Sequence, residues 1–252
     1  MTSPESNRSA RQATEAPLAL LKQQRSHNLF VLSNAKLGCE PAFLNWYTSN
    51  LLQDVAAQEH VLTVQHFEQH EVDITRGRHK PLDYRYLSMI ELSLDGGHEA
   101  ASLIDHIADI HRQEPAALEP AAWLYYPISE KVGRSPVVEQ PMLTLAFTNA
   151  IEGTDAEFRE WYNTRHIRHA LNIPALVSGQ CFALGKFQKP LATASNFRFI
   201  TIYEQEGSPQ DIIDSLKELP SGTLAFPTLD KQNFAEWVYR PVTKRLSSTD
   251  NG

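Results

Sequence analysis

One predicted helix, between Thr154 and Asn172, concentrates side chains that can do chemistry. Within about three turns it carries Trp161, Tyr162, Arg165, His166 and His169. An imidazole titrates close to neutral pH and can therefore take and return a proton there. A phenol four residues earlier lies on the same helix face and can donate a hydrogen bond to a substrate carbonyl or phenolate. The stretch predicts a general acid–base site with His166 and Tyr162 as its catalytic residues.

The other members of this stretch have two interpretations each. Trp161 is either core or the wall of a substrate pocket. Arg165 adjoins His166 and either binds an anionic group or faces solvent. His169 follows His166 by three residues, so both rings could face one ligand. Two histidines normally need a carboxylate or another third ligand to hold a metal ion, and no such pattern is present, so no metal site is predicted.

Two amides outside the helix are further candidates for substrate binding. Asn149 ends a predicted strand and is followed by Ala-x-x-Gly, so it either forms the turn or polarises a substrate. Gln180 lies in the next predicted strand and either orients a ligand or pairs inside the fold. Histidines elsewhere, including His66 and His111, are expected to be mostly solvated. Cys39 and Cys181 are expected to be free thiols.

The chemistry-bearing stretch repeats, with altered chemistry, 115 residues earlier. Aligning Asn28–Gln69 with Leu143–Leu184 without gaps gives eight identities in 42 pairs, against roughly two or three from composition. The identical pairs are Asn34/Asn149, Ala35/Ala150, Gly38/Gly153, Phe43/Phe158, Trp46/Trp161, Tyr47/Tyr162, Gln65/Gln180 and Phe67/Phe182. Leu51 stands opposite His166. The aromatic scaffold is therefore kept in both copies, and we predict an active pocket only in the second.

Each copy shows the same alternation of strand-like and helix-like segments. Short apolar runs with β-branched and aromatic residues alternate with two segments of helical period, in the order βαββαβ. This is the ferredoxin-like arrangement, whose uncovered sheet face must be buried, and two sheets placed face to face bury each other. The predicted division is a disordered tail (1–27), a structural first copy (28–127), a linker (128–141), a second copy with the pocket (142–241) and a tail (242–252).

The run NAxxGxxxxFxxWYxxxH, followed by Pro and a Gln-x-Phe strand, resembles the dimeric α/β-barrel superfamily, particularly its EthD-like branch. The resemblance covers nearly all of both copies and implies an α+β fold in which two repeats form one barrel within the chain. It also implies that His166 occupies a position where EthD-like proteins carry a histidine. The superfamily includes cofactor-free monooxygenases, polyketide cyclases, isomerases, and aldoxime or chlorite enzymes with haem.

We therefore expect a lyase, isomerase or cyclase that uses no cofactor and acts on a small aromatic or polyketide-like compound. The alternatives are an oxygenase, cofactor-free or with haem held by His166 or His169, and a non-catalytic ligand-binding protein. The net charge of −7 argues against nucleic-acid binding. No apolar run reaches the 18 or so residues of a membrane span, and the first 27 residues lack a secretory core, so a cytoplasmic location is expected. The chain is expected either as a monomer or as a homodimer.

Overall fold

The computed structural model describes residues 19–22, 24–189, 191–220, 223–224 and 226–248. Within these ranges the chain forms two halves with the same order of elements. Among the described residues, no helix has the length and apolar character needed to cross a membrane.

A short strand precedes the first half, and helices alternate with long strands within it. The elements are β1 (Leu20–Leu21), β2 (His27–Ser33), α1 (Glu40–Trp46), a π-helical turn (Tyr47–Leu51), α2 (Leu52–Ala56), β3 (Val61–Gln69), β4 (Tyr86–Leu92), α3 (Ala100–Gln113) and β5 (Ala121–Pro127). α3 shows why this half folds as it does, because its buried residues recur every three or four positions and form one apolar face.

The second half repeats this order after a short connecting strand. Its elements are β6 (Lys131–Gly133), β7 (Met142–Thr148), α4 (Asp155–Trp161), a π-helical turn (Tyr162–His166), α5 (Ile167–Ala170), β8 (Leu176–Leu184), β9 (Phe199–Gln205), α6 (Pro209–Glu218), β10 (Ala235–Pro241) and β11 (Leu246–Ser247). Both π-helical turns begin at the tyrosine of the shared Trp-Tyr pair. Matching irregularities in β3 and β8, at Val61/Thr63 and Leu176/Ser178, also occur at the same place in each half.

Eight long strands close into one antiparallel barrel. The first half contributes strands in the order β5-β2-β4-β3 and the second half in the order β10-β7-β9-β8. β3 pairs with β10, and β5 pairs with β8, so the edges of the two sheets are joined by hydrogen bonds on both sides. This architecture confirms the predicted α+β fold, in which two βαββαβ repeats make a single intrachain barrel.

Alternation along the strands divides the buried side chains into three apolar clusters. Phe30, Phe147 and Trp237 are among the side chains that fill the barrel interior. On the outer faces, one cluster packs the first sheet against α1–α3, and another packs the second sheet against α4–α6. Because the interior is filled, the two outer clefts between sheet and helices are the places left for a functional site.

The paired asparagines have the same structural role in both halves. The Asn149 side chain donates to the carbonyl of Asn196 at 2.8 Å and accepts from the backbone N–H of Arg198 at 2.8 Å. Asn34 makes the matching bonds to Asp83 and Arg85, at 2.8 and 2.7 Å. Each amide thus ties the end of one strand to the loop that enters the strand beside it, so its hydrogen-bonding groups are already occupied by backbone.

The predicted tails and linker carry more structure than expected. Residues 1–18 and 23 lie outside the described residues, but β1 pairs with β6, and β6 itself lies within the predicted linker and pairs with β8. Arg25, placed in the disordered tail by the sequence, is largely buried and donates to Gln180 at 2.5 Å. In the C-terminal segment, β11 pairs with β3. These segments are ordered because each adds backbone hydrogen bonds or buried polar contacts at the barrel.

Replacing Asn149, whose amide is buried, should lower stability more than replacing Asn34, whose amide is only half-buried. Asn149→Ala leaves a carbonyl and an N–H without their partners, and we expect a loss of about 1–3 kcal/mol in the free energy of unfolding. Asn34→Ala should cost less, because water can replace its two exposed hydrogen bonds. Urea denaturation of the two variants and the parent measures this, and a change below about 0.5 kcal/mol in both would contradict the structural role.

Candidate active site

The helical segment of the second half brings three of the sequence-predicted residues together. The ring centroid of His166 lies 4.3 Å from that of Tyr162 and 4.6 Å from that of Trp161. Trp161 in turn stacks on Phe226 at 4.3 Å. The π-helical turn holds Tyr162 and His166 against the sheet, and Arg165, between them, is exposed. Trp161, Tyr162 and His166 therefore share one wall of the second outer cleft.

His166 is neutral at physiological pH. Burial lowers the pKa of its imidazole to about 3, and the charge of His169 acts in the same direction. Nδ1 of His166 is buried and has no hydrogen-bond partner among the described residues, and the same is true of Nδ1 of His169. A neutral imidazole with an unpartnered ring nitrogen can accept a hydrogen bond or bind a metal. A pKa of about 3 does not suit the general acid–base role that the sequence predicts for His166 at neutral pH.

Tyr162 is a buried, protonated phenol that also connects helix to sheet. Burial is the main cause that raises its pKa, and the contact with Thr201 on β9 acts against it. Its counterpart in the first half, Tyr47, accepts a hydrogen bond from Ser88 at 3.0 Å. Because Ser88 and Thr201 occupy equivalent positions, the tyrosine is part of the shared architecture as well as of the cleft wall.

Gln180 is not brought to this cleft. Gln180 pairs with Ile202, whose side chain fills the barrel interior, so Gln180 faces the opposite side of β8 from the helices. There it binds Arg25 and donates to the carbonyl of Ser129 at 3.0 Å. Side chains alternate between the two faces of a strand, so Gln180 lies on the opposite face of the sheet from His166. Asn149 is not brought to the cleft either, because its amide is hydrogen-bonded to the loop that enters β9.

Glu236 on β10 is the site residue that the sequence reading missed. Its neighbours Ala235 and Trp237 point into the barrel, so Glu236 points toward the helices of the second half. It makes no hydrogen bond or ion pair within the described part of the chain. Burial raises the pKa of its carboxyl to about 7, opposed by the charge of Arg78 and reinforced by that of Asp73. In the repeat alignment Glu236 stands opposite Ala122, and this asymmetry is the signal that could have identified it.

The sheet side of the same cleft carries Tyr203, Thr201 and Cys181. Glu236 and Tyr203 both lie on the helix-facing side of the second sheet. Burial raises the pKa of Tyr162 and of Tyr203, and the charge of Glu236 acts in the same direction. Gly179 makes room for Tyr203, because a Cβ at residue 179 would lie 2.9 Å from the Tyr203 ring. Isoleucine and valine stand at the first-half positions equivalent to Tyr203 and Gly179.

The first-half cleft is different and is not purely apolar. His66 and His111 were expected to be solvated, and that expectation is wrong because both side chains are buried. Burial lowers the pKa of His66 to about 3 and that of His111 to about 4. Nδ1 of His66 hydrogen-bonds the Ser88 hydroxyl at 2.8 Å, and Tyr47 stacks on the His66 ring. A cavity beside them, lined mainly by aliphatic side chains, has room for about one water molecule. This cleft is too full for an organic substrate.

Metal ligands do not cluster in the part of the chain that the structure describes. No group of three or more His, Cys, Asp or Glu side chains there could hold a metal ion.

Comparison with known proteins identifies the fold. No protein-family model and no curated protein matches the sequence. An anthrone oxidase-like protein has a similar solved structure, with 9% identity, 92% of this chain and 97% of that chain covered, and a TM-score of 0.58. A protein provisionally named a monooxygenase from Lactobacillus acidophilus NCFM is 9% identical, with 90% of this chain and 97% of that chain covered and a TM-score of 0.50. A chlorite dismutase variant from Candidatus Nitrospira defluvii is 10% identical, with 88% of this chain and 94% of that chain covered and a TM-score of 0.51.

These similarities show that the chain has the same fold as these proteins, which is the fold that the resemblance to the dimeric α/β-barrel superfamily implies. They also correct one expectation. The prediction of a protein that uses no cofactor is contradicted, because chlorite dismutases, which belong to the haem-using enzymes of this superfamily, have the same fold.

Glu236 should give the protein a characteristic dependence of stability on pH. A carboxyl whose pKa is raised from 4.5 to about 7 on folding stabilises the protein fully below about pH 4.5, and this contribution is lost as pH rises through 7. Glu236→Gln removes the effect, so the variant should gain stability relative to the parent as pH rises from 5 to 8. Chemical denaturation at several pH values measures the difference.

The other groups around this carboxyl are accounted for over the same pH range. Tyr162, Tyr203 and Cys181 stay protonated because burial raises their pKa values. The pKa of Asp73 is lowered, because hydrogen bonds from Thr75 and Gly77 outweigh the effect of its burial. A matched variant, Glu160→Gln, alters an exposed helix carboxylate and should show no such trend. Parallel pH profiles for Glu236→Gln and the parent would contradict the raised pKa.

Proposed function

We propose that the protein is an enzyme whose active site is the outer cleft of the second half, where Glu236 moves protons on a small aromatic or polyketide-like compound and His166 accepts a hydrogen bond from it. The observation that carries this proposal is the position of Glu236, a carboxyl on the helix-facing side of β10 that makes no hydrogen bond or ion pair within the described chain. Burial raises its pKa to about 7. Such a group is present in both protonation states at neutral pH, as a general acid–base catalyst needs to be.

The surrounding residues have distinct roles in this proposal. Glu236 takes a proton from carbon or oxygen of the substrate and returns it elsewhere. Tyr162 and Tyr203, which remain protonated, donate hydrogen bonds to the oxyanion that develops when the proton leaves. His166 stays neutral and accepts a hydrogen bond from the substrate. Trp161 stacked on Phe226 forms an apolar wall for the aromatic ring. Moving a proton in this way is the chemistry of an isomerase, a lyase or a cyclase.

The asymmetry between the halves supports placing the activity in the second one. The first half has Leu51, Ala122 and Ile90 where the second has His166, Glu236 and Tyr203, and its cavity is about the size of one water molecule. We propose that the two halves arose by duplication and that the chain belongs with the EthD-like branch, on the strength of the shared Trp-Tyr pair and of His166.

A second candidate is an oxygenase that carries haem. It is supported by the unpartnered Nδ1 of His166, and by the fold shared with oxidase-like and chlorite dismutase proteins. On donor chemistry, His166 would be the residue that holds haem iron, because its imidazole is neutral at physiological pH. Haem, when bound, would supply oxygen activation, and Glu236 and the two tyrosines would still hold and orient protons of the substrate.

Proton transfer can be tested with anthrone as the probe, since its methylene protons are acidic and exchange with solvent. We expect the protein to accelerate exchange of these protons for deuterium in anaerobic D₂O, followed by NMR. Glu236→Gln should reduce the acceleration about 10²-fold or more, because a positioned acid–base group typically contributes 10²–10⁴-fold. His166→Leu, which installs the first-half residue, should also reduce it.

Glu160→Gln is the matched control and should retain the parent rate. Equal exchange rates for the parent, Glu236→Gln and His166→Leu would overturn the proposal. In air, conversion of the methylene to a carbonyl consumes one O₂ and releases one water, so oxygen uptake with anthraquinone formation would favour the oxygenase.

Haem binding has its own readout. If the second candidate holds, the purified protein, or the protein after addition of hemin, should show a Soret band that is shifted from free hemin. His166→Leu should abolish that shift, whereas His60→Leu, at an exposed histidine of the first half, should not. A hemin spectrum that is unaltered by the parent protein would contradict this candidate.

A further inference from the structure

The first half holds one of its own carboxylates at the seam where β3 pairs with β10. Glu68 on β3 is buried and lies opposite Arg240 on β10. Arg85 donates through Nε to one carboxylate oxygen at 2.8 Å, and Arg240 donates to the other through Nε and a terminal nitrogen, at 3.1 and 2.7 Å. The Cζ of Arg85 also lies 5.6 Å from the centroid of the Tyr86 ring. Two guanidiniums beside an aromatic ring therefore bind a carboxylate at this seam.

The second half has the same seam, where β8 pairs with β5, but it lacks the carboxylate. Four positions around the two seams are equivalent in strand pairing and in the repeat, and with the first-half residue first they are Glu68/Ala183, Arg240/Tyr126, Arg85/Arg198 and Tyr86/Phe199. Ala183 is buried on the helix-facing side of β8. The Cζ of Arg198 lies 5.9 Å from the centroid of the Phe199 ring. The second half therefore keeps one cation and the aromatic ring of this arrangement and loses the anion.

Arg159 adds a second cation to this seam. It projects from α4, where the first half has a leucine, and its Cζ lies 5.5 Å from the centroid of the Phe199 ring. A terminal nitrogen donates to the Tyr126 hydroxyl at 3.4 Å, and Nε is buried without a hydrogen-bond partner among the described residues. Within the described chain Arg159 forms no ion pair, whereas Arg198 pairs with Asp155. Partial burial of a guanidinium without a counter-charge costs free energy, and an anion bound to Arg159 would recover it.

We propose that the second-half seam binds the carboxylate of a small organic acid and that Arg159 is the residue that holds it. The first half shows the chemistry, because the equivalent strands there hold the Glu68 carboxylate with guanidinium hydrogen bonds. Ala183 is shorter than Glu68, so the carboxylate of the ligand takes the place that the glutamate carboxylate has in the first half. The seam lies at the β8 edge of the second sheet, and Glu236 lies on β10 at the opposite edge. The inference therefore goes beyond the proposed function and does not depend on it.

Benzoate is the probe, with benzamide as its neutral analogue and inorganic phosphate as a different anion, and binding is followed by NMR titration of the arginine Nε–Hε signals. The parent protein should bind benzoate more tightly than the other two compounds. Arg159→Leu, which installs the first-half residue, should weaken benzoate binding about tenfold or more, the effect of losing a charge-assisted pair. Arg168→Leu is the matched control, because Arg168 is an exposed arginine of the next helix, and it should bind benzoate like the parent. Undetectable benzoate binding by the parent, equal binding of benzamide, tighter binding of phosphate, or an unchanged benzoate affinity in Arg159→Leu would overturn the inference.

A second measurement tests the site without any added ligand. Ala183→Glu supplies the first-half carboxylate from the chain itself, and Ala183→Gln introduces a side chain of the same shape without the charge. At neutral pH, Ala183→Glu should unfold at a higher urea concentration than Ala183→Gln, because its carboxylate pairs with Arg159. Most of this difference should disappear when Arg159→Leu is added to both variants. Equal unfolding midpoints for Ala183→Glu and Ala183→Gln, or a difference that Arg159→Leu leaves unchanged, would also reject the site.

Discussion

Closure of the barrel is the constraint on which the rest of this structure depends. Pairing of β3 with β10 and of β5 with β8 removes the free edges of both sheets, so the halves cannot separate without losing backbone hydrogen bonds on two sides. The enclosed volume is filled by large apolar side chains. A ligand therefore has to bind on the outside of the barrel, between a sheet and its helices, and the chemistry must be carried by outward-facing strand residues and the helices that cover them.

Within that constraint the two clefts have come to differ through a few substitutions. Both keep the Phe-x-x-Trp-Tyr helix and a hydroxyl on the third strand of the half to receive the tyrosine. The first half fills its cleft with aliphatic side chains and a buried His66–Ser88–Tyr47 chain of hydrogen bonds. The second half replaces aliphatic side chains by His166, Tyr203 and Glu236. The loop between β3 and β4 of the first half also packs against α6 and β10 of the second half.

Much of the fold could be predicted from the sequence, because local sequence patterns indicate it. Apolar periodicity gave the strands and helices, and the repeated Trp46/Trp161 and Tyr47/Tyr162 pairs showed that the same unit occurs twice. The segment that holds Arg25 was predicted to be disordered because its composition is polar. Polar composition indicates disorder only when a segment has no partner in the fold. Its partners Glu91 and Gln180 lie 66 and 155 residues away along the chain.

The site was harder to predict than the fold. His166 stood out because a titratable side chain on a helix faces an apolar counterpart in the other half. Glu236 fits the same criterion but lies in a short strand, where a single charge normally faces solvent. Only the direction of β10 shows that this half-buried side chain faces the helices of the second half. Gln180 was assigned to the site from its repeat, and the strand alternation places it on the other face.

The claim that the outer cleft of the second half is the ligand site is tested most directly by a crystal structure of the protein soaked with anthrone. We predict electron density for the aromatic ring of the ligand between the second sheet and the segment Asp155–Ala170, close to Glu236. Density for the ring beside His66 in the first half, or in neither cleft, would contradict it.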